Sequence, residues 1–120
     1  MSRLSFMSAP SAPLRLLEVR GGVPEGAIAI GPDRGLLVGD TDVDLNGYRV
    51  YDMSGALAVV EVEAQLIPRL TELQDFPCVG SILRGVPAVI EPRDGGYRLF
   101  VPIELGQFVR ETIDDLRSAL

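Results

Sequence analysis

At 120 residues with 47% hydrophobic content, the chain is one domain by size and apolar enough for a single core, which excludes global disorder. Its 11 basic residues are all Arg, it has no His, and its net charge is −6. Without His or Lys, one chain cannot assemble a Ser-His-Asp or Cys-His nucleophile, a Schiff base or a P-loop lysine. A non-catalytic protein is therefore the expectation.

The opening residues 1–13, MSRLSFMSAPSAP, are small and Pro-rich, with no apolar block of signal-peptide length. They read as a flexible tail ahead of a single domain over residues 14–120. LRLLEVR (14–20) reads as a first strand in which two apolar phases overlap at Leu16 and Leu17. GGVPEG (21–26) is a turn. AIAI (27–30) and LLV (36–38) flank GPDRG and predict a hairpin.

DVDLNGYRVY carries the strongest local signal. Asn46-Gly47 suits a type I′ turn, because both residues tolerate positive φ. That turn would set Leu45 opposite Tyr48, Asp44 opposite Arg49, and Val43 opposite Val50. ALAVVEVEA (56–64) ends in strand-like alternation, whereas its Ala-rich start suits a helix. A strand followed by a short helix over 65–76 is expected, because Pro68 is tolerated only in a helix's first turn. CVGSILRG (78–85) fits either a strand or a turn. VPAVIE and YRLFVP flank PRDGG as a second hairpin, with Glu91 and Arg98 near its mouth as a pair. Leu105, Phe108, Val109, Thr112, Ile113, Leu116 and Leu120 recur at helical spacing, with Arg110, Glu111, Asp114 and Asp115 opposite. The fold class is thus α+β: an antiparallel, hairpin-built sheet of short strands, one short middle helix, and an amphipathic C-terminal helix packed on the sheet.

Charge is uneven. Residues 40–63 hold Asp40, Asp42, Asp44, Asp52, Glu61 and Glu63 against Arg49 alone, a net −5. This field repels nucleic acid and anionic lipid, and attracts a basic protein surface. Asp40, Asp42, Asp44 and Asn46, followed by Gly47, also resemble the start of a calcium loop. Counted from Asp42, however, the position of the bidentate Glu holds Met53, and Arg49 stands near the ligands. LLVGDTD is similar to the apolar strand and Asp-Thr-Gly of aspartic proteases, but Asp42 replaces the glycine that lets two carboxylates approach. Cys78 is the sole cysteine, so no internal disulfide forms. It reads as a small hydrophobe, with no His or Lys to activate it. No apolar run nears the ~20 residues of a membrane-spanning helix.

These residues point to a cytoplasmic, acidic protein-binding module of the immunity-protein, inhibitor, adaptor or secretion-chaperone type, with no cofactor. Asp40, Asp42, Asp44, Asp52, Glu61 and Glu63 would steer a basic partner, and Tyr48 and Tyr51 would anchor it. Self-association is compatible with this reading. The alternative is a small-molecule- or divalent-metal-binding domain, with Asp40, Asp42, Asp44 and Asn46 as ligands, whose site oligomerisation completes as part of an enzyme.

Overall fold

A computed structural model describes residues 14–119. The tail expected over residues 1–13, and Leu120, lie outside the described residues. The strands divide between two antiparallel four-stranded sheets. The first contains β1 (Leu16–Arg20), β2 (Ile28–Gly31), β3 (Arg34–Val38) and β4 (Arg49–Asp52), in the order β2-β3-β1-β4. The second contains β5 (Leu57–Glu63), β6 (Cys78–Ile82), β7 (Val86–Arg93) and β8 (Gly96–Pro102), in the order β5-β8-β7-β6. A short helix, α1 (Ile67–Leu70), follows β5, and the C-terminal helix, α2 (Gly106–Ser118), follows β8. Pro68 sits in the first turn of α1, where its missing N–H has no partner to lose.

Three apolar layers hold the domain together. Between the sheets, Leu16, Ile28 and Leu36 meet Phe100, with Val59 and Val89 beside them. On the far side of the second sheet, Val60, Val62, Leu99 and Val101 pack under Val109 and Ile113 of α2. On the far side of the first sheet, Leu17, Val19 and Leu37 are met by Leu45 and Tyr48, from the connection between β3 and β4. Strands β1 and β3 of the first sheet are therefore covered on both faces. That explains the overlapping phases of LRLLEVR: Leu16 turns to one layer and Leu17 to the other.

The hairpins around Pro32-Asp33 and Asp94-Gly95 form as the sequence predicts. The Asn46-Gly47 hairpin does not. Tyr48 N–H donates to the Leu45 carbonyl at 3.1 Å, so a turn exists there. Of its two central residues, only Gly47 has positive φ, at +88°. That is the type II pattern. A two-residue hairpin needs the primed turn, whose twist matches the strands. Residues 40–45 accordingly remain outside any sheet, and β4 pairs with β1 instead, Val50 opposite Val19.

Candidate protein-binding surface

The connection from β3 to β4 is built by local hydrogen bonds. Gly39, at φ +83°, donates its N–H to the Arg15 carbonyl at 2.7 Å and turns the chain out of β3. Val43 N–H donates to Thr41 Oγ1 at 3.1 Å, and Asn46 N–H donates to Asp44 Oδ1 at 2.9 Å. These bonds give the segment its own backbone partners where a strand would use a neighbour. Asp40, Asp42, Asp44 and Asn46 are exposed, while Thr41, Val43 and Leu45 are half-buried. The carboxylates thus point to solvent because the apolar residues between them face the sheet. Among the described residues none of the three Asp makes an ion pair.

Tyr48 is half-buried and belongs to the apolar layer with Leu17 and Val19. A Cβ added at Gly22 would lie 3.2 Å from Tyr48 Cε1, so the ring needs a glycine beside it. Tyr48 holds the connection down and presents little surface. Tyr51, in contrast, is 42% exposed and Val50 40% exposed, and all four residues of β4 are open to solvent. The Arg20 guanidinium lies 4.9 Å from the Tyr51 ring centroid. Arg20 Nε also donates to Glu18 Oε2 at 2.6 Å, which raises the Arg20 pKa. Hydrogen bonds from Ser54, including its backbone N–H at 2.9 Å, hold the Asp52 carboxyl below its ordinary value.

Glu61 and Glu63 stand on the other sheet, at the β5 edge. Glu61 is exposed and lies opposite Arg98 on β8. Glu63 accepts two bonds from Arg117 of α2, at 2.6 and 2.7 Å, and this contact lowers its pKa. The eight residues singled out in the sequence therefore separate. Asp40, Asp42, Asp44, Tyr51 and Asp52 lie in the β3–β4 connection and β4, Tyr48 is structural, and the two Glu belong to β5. Among the described residues, no three His, Cys, Asp or Glu side chains gather as a metal's ligands would. None of the described helices is long and apolar enough to cross a membrane.

Two features escaped the sequence reading. Arg98 is buried between the sheets, with its Nε donating to Glu91 Oε1 at 2.8 Å and its guanidinium 5.4 Å from the Phe100 ring centroid. The sequence sets Glu91 and Arg98 together at the hairpin, but nothing in the local pattern marks that face as covered. The second feature is an open groove of about 690 Å³ beside Arg69, Leu73, Leu83, Arg84 and Phe108. Phe108 has the spacing of a core residue, yet it is 52% exposed. Leu83 and Arg84 sit at φ +50° and +62°, in the left-handed region that side chains disfavour. Cys78 packs partly buried against the helix-covered core, and burial, with Asp75 nearby, pushes its thiol pKa up. Comparison with protein-family models, curated proteins and solved structures found no match.

Proposed function

We propose that the protein is a non-catalytic binding module that captures a basic surface of another protein through residues 40–52. The observation that carries this reading is the arrangement of Asp40, Asp42 and Asp44. They are exposed in alternation with inward residues and unpaired by any Arg among the described residues, and the same segment runs directly into the exposed strand β4. Together with Asp52 they place four carboxylates against Arg49 within thirteen consecutive residues. Charges held at a surface in this way raise the encounter rate with an opposite surface, over the ~8 Å reach of electrostatics at physiological salt. Val50 and Tyr51 then supply apolar area that docking removes from water. An immunity protein, an inhibitor, an adaptor or a secretion chaperone in the cytoplasm would each use such a surface.

The test is kinetic. After the partner is recovered by pull-down, its association rate is measured across a salt series for the wild type and for Asp42→Asn/Asp44→Asn. The amide introduced at position 44 keeps the oxygen that accepts the Asn46 N–H, so the turn survives and only charge is lost. The rate should fall with salt, and the double variant should associate more slowly with a shallower salt dependence. A rate flat in salt, or unchanged in the variant, removes the reading.

A further inference from the structure

We propose that β4 receives an extended basic segment of the partner as a fifth strand of the first sheet. This rests on the reading above and names its mode of contact. The β1 residues whose backbone groups face β4 are fixed by two bonds. Met53 N–H donates to the Leu16 carbonyl at 2.7 Å, and Gly39 N–H donates to the Arg15 carbonyl at 2.7 Å. Even-numbered β1 residues therefore bond toward β4 and odd-numbered ones toward β3. With Glu18 opposite Tyr51 and Arg20 opposite Arg49, the peptide groups of Val50 and Asp52 point outward, away from β1.

The other sheet edges are guarded. At β5, Arg110 donates to the outward carbonyl of Val59 at 3.4 Å, and Glu61 and Glu63 charge the strand. At β6, Thr71 Oγ1 donates to the Ser81 carbonyl at 3.0 Å, and Leu83 N–H donates to the Leu70 carbonyl at 2.8 Å. At β2, a register shift between Ala29 and Gly31 breaks the ladder. β4 has neither a bulge nor a proline nor a covering side chain among the described residues. It also carries Val50 and Tyr51, residues that favour strands. Its flanks decide the occupant. Asp52 lies on the strand and Asp40, Asp42 and Asp44 precede it, so charge complementarity selects a cationic chain. A second copy would bring a second acidic connection to the same edge.

The probe is a short peptide of alternating Arg and Thr, compared with the same peptide N-methylated throughout, which keeps the charge and loses the backbone donors. The wild type should bind the unmethylated peptide at least about tenfold more tightly, the value of one or two backbone hydrogen bonds. Val50→Pro removes only an outward N–H, and should weaken binding by a similar factor. Val50→Ala keeps that N–H and should bind within about twofold of the wild type. A folding check by urea denaturation accompanies each variant. Independently of any variant, the Val50 and Asp52 amides of the wild type should exchange quickly alone and slowly with the peptide bound.

The proposal is overturned if the methylated peptide binds equally, if Val50→Pro binds as the wild type does, or if those amides stay unprotected in the complex. It is also overturned if the peptide does not bind at low salt, or if the amides are already protected without it, because a second copy or residues 1–13 would then hold the edge. If Asp42→Asn/Asp44→Asn still slows the partner's association in any of these cases, electrostatic capture stands and strand addition falls.

Discussion

Arg98 offers the sharpest test of the packing between the sheets. Its side chain is 10% exposed and that of Glu91 21% exposed, with an Nη2 to Oε1 distance of 2.6 Å. Glu91 is its register neighbour on β7 and Glu61 its register neighbour on β5, so both acidic residues share its face, while the guanidinium bonds Glu91. Removing the partner of a buried charge costs about 3–5 kcal/mol, because the remaining charge is stranded. In Glu91→Ala the guanidinium turns to Glu61, and the loss should be about 1–2 kcal/mol, closer to a charge-assisted hydrogen bond. Glu61→Ala alone removes a neighbour that Arg98 does not bond, and should cost under about 0.5 kcal/mol. In the double variant no carboxylate remains, and the loss should approach about 3 kcal/mol, the low end of the range, since part of Arg98 still reaches water. Arg98→Leu should cost less than that double variant, because an apolar side chain suits the space beside Phe100 and Glu91 can hydrate. The assay is urea denaturation of all four proteins and the wild type. Strict additivity of the two Glu variants, or a double variant within about 0.5 kcal/mol of the wild type, refutes a guanidinium held by alternative partners.

Three further outcomes are expected. Phe100 is 1% exposed and Phe108 52% exposed, so by urea denaturation Phe100→Ala should cost about 3–5 kcal/mol and Phe108→Ala should stay within about 0.5 kcal/mol. Gly96→Ala should destabilise far more than Gly80→Ala by the same assay. The added carbon meets the Val62 backbone carbonyl in the first case and the movable end of Leu73 in the second. Acid should loosen the attachment of α2 to β5. The Glu63 pKa is lowered by Arg117, so the stability of this contact is complete above the ordinary value of 4.5 and is lost as pH falls below it through the depressed one. Glu63→Gln should flatten that part of the thermal-stability profile against pH.

The α+β class, both β-hairpins that form and the amphipathic helix were legible because each depends on neighbours in sequence. Pro68 marked the start of α1, and the spacing of Val109 and Ile113 marked the buried side of α2. What failed depends on distant partners. The Asn46-Gly47 turn, the opposite charges of Asp44 and Arg49 and the apolar pair Val43–Val50 agree on one hairpin register, but β1 competes for β4, and a turn needing positive φ only at Gly47 lets the chain cross the sheet. Tyr48 read as a surface anchor because its apolar bed, Leu17 and Val19, lies about thirty residues upstream. Phe108 read as core because helical periodicity cannot show where the sheet beneath a helix ends. The acidic surface was legible as charge, whereas the open edge beside it was not, since sheet order follows from contacts no local pattern contains.

The most direct measurement of the proposed recognition surface is a map of amide chemical-shift changes as the recovered partner is titrated into the labelled protein. The account predicts that the largest changes fall within residues 40–52 and on the adjoining strand residues Glu18 and Arg20. Changes centred instead on Arg69, Arg84 and Phe108, with residues 40–52 unmoved, would contradict it.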